Sequence, residues 1–401
     1  MDERILATRL RERLGERVFH SLRVSSTVSQ FVDRPWLTLA SSHLGHSRLL
    51  QARVCRFVSQ SMLKARQDGS VLLIAAGSAI EPWARRAAEL FGVPTITVWV
   101  NPRAGTQTTD IVIAGDRTLQ RDSVIISLAD RVDCPLVRAG GKIESAVLDR
   151  LRGGADTGIR VGIHDAADQK TMRSAARLMS QGALGWYISN RPERTRLSGQ
   201  ATIVDNDWFN TEDEWLVHCT RAPSRSIPGE REQQARDAML LATQTAAVTP
   251  LAALRRIVRS KRLIASAVTS DRRYPVVCFS ARSLASLLSE RTYRPHLHRW
   301  DYEPYGVAIR KEAAIEAGLQ PVIYGSPEQR GAIGVDEGYR FQALGKTYDW
   351  TSEREWRCLG DVDLTRFETG DVRLFVADPS DAISLGDHFP ISVVGLSAQR
   401  H

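Results

Sequence analysis

The chain has 401 residues, more than one hydrophobic core usually supports, so we predict two domains. Apolar residues make up 43% and charged residues 25%, as in folded globular proteins, and no apolar run is long enough to cross a bilayer. The formal net charge of +8 is compatible with an acidic partner such as nucleic acid or a nucleotide, and it also serves solubility.

The five cysteines, Cys55, Cys134, Cys219, Cys278 and Cys358, are scattered and follow no metal-binding spacing. This usage indicates a reducing compartment and argues against a zinc site. The chain starts Met-Asp-Glu-Arg-Ile-Leu, which is charged and then amphipathic, unlike a signal peptide. We therefore expect a cytoplasmic protein without a metal cofactor or a membrane anchor.

The N-terminal half alternates segments of helical spacing with short apolar runs. Residues 1–30 predict a helix that packs on the fold or against another copy of the chain, and residues 47–66 predict a second amphipathic helix. The continuous apolar run at 71–76 is typical of a strand buried on both faces of a parallel sheet. Further strands are predicted at 95–100, 111–113, 132–137, 159–164 and 186–188, with helices ending near Leu90, Ala129, Leu151 and Met179.

Two glycine turns follow strands in this half. Gly77-Ser78 comes after the run at 71–76, and Gly140-Gly141 comes after the strand at 132–137. In a parallel sheet both turns lie at the carboxyl edge, where free N–H groups and the helix dipole favour anions. One such turn is as often only connective, but two side by side indicate a ligand site.

The order of these motifs resembles the SLOG superfamily, which includes the DNA-processing DprA/Smf-like proteins and the cytokinin-activating phosphoribohydrolases. The match covers residues 35–152, and its closest part is the Arg121-Asp122 helix followed by Gly140-Gly141-x-Ile143. Glu81 lies near the position of the hydrolases' catalytic glutamate without the surrounding motif, so the resemblance implies a domain that binds or senses a nucleotide or DNA. The ligand-binding residues that it implies are Gly77, Ser78, Glu81, Arg121, Asp122, Gly140, Gly141 and Lys142.

Three strand-like runs in the second half carry polar groups that burial alone does not explain. Residues 215–221 present His218 and Thr220, and residues 276–280 end with Ser280. The third run carries Glu353 and Glu355, which strand alternation would place on one face, with Trp356 on the other. We expect the three runs to converge on one pocket. The alternative is that these groups are satisfied strand-end polar residues and ion pairs.

Two basic segments lie between these runs. Residues 250–265 predict a helix with Pro250 in its first turn and an arginine-rich side, which is either a solvated face or a phosphate contact. Residues 291–300 mix arginine and histidine with tyrosine and tryptophan. His296 and His298 have metal-ligand spacing but lack a third ligand, so we expect no metal there.

The three runs together resemble the ADP-ribosyltransferase superfamily, and most closely its DarT-type toxins that modify DNA. The resemblance covers residues 213–376 and includes an early His-x-Thr strand, the Tyr302–Tyr305 segment and a late strand with Arg-Glu-Trp-Arg. It implies NAD as a substrate and Glu355, Glu353 and His218 as catalytic residues. The NAD-contacting residues that it implies are His218, Thr220, Ser280, Arg272, Arg282 and Tyr305.

The chemistry suits these residue types. Cleavage of the nicotinamide–ribose bond builds positive charge on the ribose, which a fixed carboxylate stabilises as in glycoside hydrolysis. Glu355 would supply that carboxylate, Glu353 would orient the acceptor, and the arginines would meet the pyrophosphate.

We therefore predict an α/β protein. Residues 1–200 form a Rossmann-like, mainly parallel sheet with flanking helices, and residues 201–401 form an α+β ADP-ribosyltransferase-like domain. The predicted function is NAD-dependent ADP-ribosyl transfer or NAD cleavage, controlled by a nucleotide- or DNA-sensing domain, in a toxin or antiviral defence system. The chain would form a homo-oligomer through its N-terminal domain. The alternatives are a non-enzymatic DprA-like DNA- or nucleotide-binding protein, and a nucleotide phosphoribohydrolase.

Overall fold

The computed structural model describes residues 8, 12, 21–106, 110–116, 119–153, 158–164, 169–187, 201–222, 230–243, 247–267, 273–294, 299–344 and 349–395. The chain divides into two compact units. Unit 1 comprises Met1–Pro192 and Glu232–Thr243, and unit 2 comprises Glu193–Arg231 and Gln244–His401. Among the described residues, no helix is long and apolar enough to cross a membrane.

Unit 1 is built from strands and helices that alternate along most of its length. Its strands are β1 (Ser21–Val24), β2 (Trp36–Leu39), β3 (Val71–Ala75), β4 (Thr95–Val100), β5 (Ile111–Ala114), β6 (Arg131–Cys134), β7 (Gly158–Ile163) and β8 (Leu184–Tyr187). Its helices are α1 (Arg48–Gln67), α2 (Glu81–Phe91), α3 (Arg121–Leu128), α4 (Lys142–Arg152), α5 (Gln169–Ser180) and α6 (Glu232–Leu240). The helices and strands predicted between residues 47 and 187 are therefore confirmed, with ends that shift by a few residues.

These strands form one sheet in the order β1-β5-β4-β3-β2-β6-β7-β8. All neighbours pair in parallel except the edge strand β1, which runs antiparallel to β5. The central strands β2 and β3 are buried along their whole length, as a parallel sheet covered by helices on both faces requires. The predicted Rossmann-like, mainly parallel sheet is confirmed.

Two parts of the N-terminal prediction differ from the structure. Residues 21–24 form β1, where a helix was predicted, because Leu22 and Val24 pack on the sheet core while their neighbours face outward. Strand β2 was not predicted at all, although it lies in the middle of the sheet. The strand is only four residues long, Trp-Leu-Thr-Leu, and one of them, Thr38, is polar, so its apolar pattern is short and interrupted. The core accepts that residue because the hydroxyl donates to the Leu73 carbonyl over 3.0 Å.

Helix α6 belongs to unit 1, although the sequence boundary near residue 200 had placed it in the second domain. Arg86 on α2 forms two bonds to the Asp237 carboxylate, of 2.6 and 2.7 Å. The Ser59 hydroxyl on α1 donates to the Leu240 carbonyl over 2.6 Å. These contacts hold α6 on α1 and α2.

Unit 2 contains many short strands and few helices. Its strands are β9 (Trp215–Cys219), β10 (Arg262–Leu263), β11 (Val276–Ser280), β12 (Tyr293–Arg294), β13 (Arg299–Trp300), β14 (Gly306–Arg310), β15 (Gln320–Pro321), β16 (Ile323–Gly325), β17 (Phe341–Ala343), β18 (Glu355–Leu359), β19 (Val362–Asp363), β20 (Val372–Val376) and β21 (Ile391–Val393). Its helices are α7 (Pro250–Ser260), α8 (Leu284–Ser289), α9 (Lys311–Glu316) and α10 (Pro379–Ile383).

The main sheet of unit 2 has the order β15-β18-β11-β9-β14-β20-β21 and is antiparallel except between β20 and β21. One face packs on α7, with Leu216 and Phe279 against Leu254. The other face packs on α8, with Val217 against Leu284. The sheet is therefore covered on both faces by helices and turns.

Two predictions about unit 2 elements need correction. Helix α7 ends at Ser260 and not at residue 265, because Lys261 adopts the left-handed conformation with φ of 53° and the chain continues as β10. Glu353 does not lie on a strand with Glu355. It ends a short 3-10 helix, and Arg354 then reverses the chain in the left-handed region, so β18 begins at Glu355.

Candidate functional site

A cavity of about 300 Å³ lies at the carboxyl edge of the unit 1 sheet. The loop after β2 and the loop after β6 both line it. From β2 the chain proceeds through β3 and β4 to one side, whereas from β6 it proceeds through β7 and β8 to the other. The cavity therefore lies at the point where the strand order reverses, the usual ligand site of an open α/β sheet.

Three helix N-termini reach the cavity. Residues of the first turns of α3 and α4, and Ile80 directly before α2, form part of its lining. None of these three helices has a side-chain hydrogen bond at its N-cap, in contrast to α1, whose Ser47 hydroxyl accepts from Leu50. The first N–H groups of α2 bond to the Ser78 and Ile80 carbonyls, so this helix offers the cavity only the positive end of its dipole. The first turns of α3 and α4 also offer N–H groups, and both features attract anions.

The first glycine turn is held by its neighbours. Gly77 has φ of +73°, a conformation that L side chains rarely adopt, and its N–H donates 2.7 Å to the Glu81 carboxylate. The Gly77 carbonyl accepts from Arg121 over 2.7 Å. Glu81 also pairs with Arg85 at 2.9 Å. Glu81 is therefore a supporting residue of the turn and does not line the cavity.

The second glycine turn repeats this arrangement. Gly140 also has φ of +73°, and its N–H donates 2.7 Å to the carboxylate of Glu144, four residues later as in the first turn. A Cβ at Gly141 would lie 3.1 Å from the Arg138 carbonyl oxygen, so the tight approach at residue 141 favours glycine. Both turns thus keep the start of the following helix in place against the cavity.

The lining combines cations with unsatisfied donors. The positive charge comes from three side chains, Arg121, Arg138 and Lys142. One of these charges is paired, because Asp122 lies 3.0 Å from Arg121. The Ser78 hydroxyl oxygen is shielded from solvent and has no hydrogen-bond partner among the described residues. A ligand that offers several acceptor oxygens would satisfy this lining.

The structure brings most of the predicted N-terminal residues together. Ser78, Arg121, Asp122, Gly141 and Lys142 line the cavity, and Gly77, Glu81 and Gly140 shape the turns behind it. Sequence reasoning missed the residues that the unpredicted strand β2 and the loop after β6 deliver, namely Ser41, Ser42, His43 and Arg138. The available signal was the apolar run Trp-Leu-Thr-Leu-Ala followed by Ser-Ser-His.

In unit 2, the three predicted runs lie on the neighbouring strands β9, β11 and β18. Ser280 is directly opposite Glu355 on one side and Val217 on the other. Because residues alternate between faces, Ser280 and Glu355 share the face of Val217, whereas His218 shares the opposite face with Phe279. The His218 and Phe279 rings lie 5.5 Å apart. The register thus separates His218 from the other two groups.

His218 is fixed on the α7 face of the sheet. Its Nδ1 lies 2.8 Å from the Cys278 carbonyl oxygen, which makes this nitrogen the donor and leaves Nε2 as an acceptor. Burial lowers the pKa of His218. The imidazole is therefore neutral near pH 7.

Thr220 and Tyr305 are satisfied by protein groups. The buried Thr220 hydroxyl lies 2.9 Å from the Pro250 carbonyl oxygen and 3.0 Å from that of Tyr305. The Tyr305 hydroxyl donates to Asp381 over 2.9 Å, and burial followed by that carboxylate raises the pKa of Tyr305. These contacts fasten the start of α7 and the approach to β14.

Ser280 and Arg282 organise the turn that follows β11. The Ser280 hydroxyl donates to the Glu353 carbonyl over 2.7 Å and accepts from the Arg282 N–H over 3.2 Å. The Arg282 guanidinium pairs with Glu290. Arg272, the other predicted pyrophosphate contact, lies outside the described residues.

Glu355 is held by a buried arginine. Arg357, only 2% exposed, donates to the two Glu355 oxygens over 2.9 and 3.2 Å. Its remaining N–H groups donate to the Tyr339 and Phe341 carbonyls and to Gln342. The Glu355 side chain retains 15% exposure. A carboxylate fixed in this way keeps lone pairs available for a hydroxyl donor.

The described residues contain no group of three or more His, Cys, Asp or Glu side chains that could hold a metal ion. His296 and His298 lie outside the described residues.

No protein-family model matches the chain. No curated protein matches it either. Several solved structures are similar to part of it, including two of a DNA processing protein. DNA processing protein A (DprA) from Streptococcus pneumoniae has 16% identity over 39% of this chain and 60% of its own, with a TM-score of 0.31. DprA from Helicobacter pylori, described as binding single-stranded DNA, has 9% identity over 41% of this chain and 80% of its own, with a TM-score of 0.29. Likenesses this partial assign no function.

Proposed function

We propose that unit 1 binds a nucleotide through its phosphate groups. The observation that carries the proposal is the meeting of three uncapped helix N-termini and three cationic side chains at one cavity. Its volume of about 300 Å³ is at the lower end of small-molecule sites, which suits a mononucleotide better than a polymer.

The lining divides into a polar and an apolar part. Phosphate oxygens would accept hydrogen bonds from the N-termini of α3 and α4 and from the Ser78 hydroxyl, with Arg138 and Lys142 neutralising their charge. The Asp122 carboxylate would accept a sugar hydroxyl. Leu39 and Ile125 would contact the apolar surface of the sugar or base.

Removal of the two exposed cations, Arg138 and Lys142, tests this assignment. We expect the Arg138→Ala/Lys142→Ala protein to bind AMP and ADP at least roughly tenfold more weakly than the native chain, since each charge-assisted bond contributes about 1.5–3 kcal/mol. Isothermal titration calorimetry with AMP, ADP and inorganic phosphate measures the loss.

Arg152→Ala is the matched control, because Arg152 lies at the opposite end of α4 and is 61% exposed. Equal affinity of the double variant and the native chain for all three ligands would contradict the proposal. Chromatography of the same mixtures detects free base, whose release would indicate a phosphoribohydrolase instead of a binding domain.

We further propose that unit 2 transfers ADP-ribose from NAD or hydrolyses NAD. The observation that favours this second function is the pairing of Ser280 with Glu355, whose carboxylate Arg357 fixes at the start of β18. The nicotinamide–ribose bond breaks with its electron pair on nicotinamide, and an acceptor oxygen then bonds to the ribose and loses its proton. Glu355 would stabilise the positive charge on the ribose.

The geometry supports a smaller catalytic set than the sequence did. Ser280 and Glu355 share a face of the sheet, so Glu355 is the proposed catalytic group and Ser280 its neighbour. His218 lies on the other face and Thr220 is engaged by backbone carbonyls, so neither enters the proposed set.

Nicotinamide release from NAD tests this second function. We expect release by the native chain, with or without added DNA or RNA, and a fall of at least roughly a hundredfold in Glu355→Gln, as for loss of an electrostatic catalytic group. Glu368→Gln, at an exposed position, is the control. If no addition elicits release, unit 2 is not an NAD-cleaving enzyme.

A further inference from the structure

The β12–β13 hairpin of unit 2 forms a two-stranded sheet of its own. Tyr293 pairs with Trp300, and Arg294 pairs with Arg299, across the two strands. Neither proposed site uses these residues, and neither ring belongs to the two apolar clusters that the described residues of unit 2 form. The core of the unit therefore does not explain why the hairpin carries this mixture of aromatic and basic side chains.

Of the two aromatic rings, that of Tyr293 lies at the outside of the unit. Tyr293 is 43% exposed, and its ring centroid lies 5.5 Å from that of Trp300 at an interplanar angle of 63°. The guanidinium carbon of Arg291 lies 4.2 Å from the centroid of Trp300. Arg291 therefore packs on the Trp300 ring, and the Tyr293 ring is the one that remains accessible to a ligand.

The acidic groups around the hairpin are occupied by other side chains or buried. Arg294 donates to Asp301 over 2.8 Å, and Glu290 accepts from Arg282 over 2.9 and 2.5 Å. Burial raises the pKa of Glu303, which lies near Arg291 and accepts from the Trp300 N–H. These partners remove most of the negative charge that would repel a polyanion.

Arginine outnumbers acid around the exposed tyrosine. Arg221 reaches the same region, since its Nε donates to the Asp301 carbonyl over 3.2 Å. The arginines here are Arg221, Arg282, Arg291 and Arg294, against the acids Glu290, Asp301 and Glu303. The whole chain also carries a net charge of +8. An anionic ligand with a planar apolar face fits this combination.

We propose that the hairpin binds single-stranded nucleic acid. A base stacks on Tyr293, and the phosphates on either side of it lie near Arg221 and Arg291. Unpaired bases present the π-face that an exposed aromatic ring recognises, whereas a duplex keeps its bases stacked inside. This site is independent of the unit 1 cavity and of NAD cleavage.

Fluorescence anisotropy with labelled 20-nucleotide dT and rU strands tests the site on the full chain. Because loss of one stacked base costs about 1–3 kcal/mol, Tyr293→Ala should weaken binding roughly 5- to 150-fold. Tyr293→Phe retains the ring and should bind as the native chain does. Arg291→Ala should weaken binding and reduce its dependence on salt. The two strands distinguish a preference for DNA from one for RNA.

Two further variants locate the binding. Tyr187→Ala removes a tyrosine of unit 1 that is 55% exposed and should leave the affinity unchanged. Arg138→Ala/Lys142→Ala should do the same, whereas a loss of strand binding there would assign it to unit 1 and overturn the proposal. The proposal would also be overturned if Tyr293→Ala and the native chain bind the strands with equal affinity while circular dichroism shows that both are folded.

Discussion

Trp36→Ala should destabilise unit 1 by about 3–5 kcal/mol, the range for removing a large buried aromatic side chain. Trp36 is fully buried at the start of β2, between β3 and β6. Its indole N–H donates to the Phe31 carbonyl over 3.0 Å, and its backbone N–H donates to Asp130 over 2.6 Å. The substitution leaves a cavity in the middle of the sheet and removes the hydrogen-bond donor of the Phe31 carbonyl. Urea unfolding, monitored by hydrogen exchange of the amides in β3 and β6, measures the loss in the free energy of unfolding.

Leu184→Ala on the edge strand β8 is the control, because Leu184 is 63% exposed and should cost less than about 0.5 kcal/mol. A second consequence concerns the cavity, since β2 leads directly into the lining residues Ser41 and Ser42. Nucleotide affinity of Trp36→Ala should therefore fall together with protection of β2. If Trp36→Ala lowers the free energy of unfolding by less than about 1 kcal/mol, β2 does not have the central position in the core that we describe.

Arg357→Ala should destabilise unit 2 by about 3–5 kcal/mol, because it leaves Glu355, the other member of a buried ion pair, without a counter-charge. The guanidinium satisfies both oxygens of Glu355, the carbonyls of Tyr339 and Phe341, and Gln342. Without it the Glu355 carboxylate loses its fixed position as well as its charge partner. Hydrogen exchange of β18 and β11 in urea measures the effect separately from unit 1.

Arg357→Lys keeps the charge but cannot form the forked pair, so its stability should lie between those of the native chain and Arg357→Ala. Glu355→Gln combined with Arg357→Ala should cost less than the sum of the two single changes, because the double variant leaves no unpaired carboxylate. Additive losses would show that the two side chains do not act as a pair. In that case the argument for a fixed catalytic carboxylate also fails.

The residues of the unit 1 site show how much of a site short sequence patterns can predict. The run at 71–76, the Gly77 and Gly140 turns and the Arg121 helix are local signals, since each is a short stretch of chain whose composition sets its own conformation. All such turns lie at the carboxyl edge of a parallel sheet, and the strand order, in which β3 and β6 flank β2, brings these two to one cavity. This is why five of the predicted ligand-binding residues line one cavity.

The unit 2 site shows where local patterns stop. The strands at 215–219 and 276–280 and a strand through Glu355 follow from the sequence, although the start of that third strand does not. The face that each side chain occupies depends on the register between strands. A shift of one residue exchanges the faces, and the sequence of one strand does not contain that shift. The pairing of Ser280 with Val217 therefore decides that His218 lies apart from Glu355.

The sequence by itself determined the alternation of strands and helices in unit 1, its glycine turns and the strand-end groups of unit 2, because these depend on neighbours along the chain. Only the tertiary structure placed β2 at the centre of the sheet, returned α6 to unit 1 and delivered Arg138 and Ser42 to the cavity. Those outcomes depend on contacts between segments distant in sequence, such as Trp36 with Asp130 and Arg86 with Asp237.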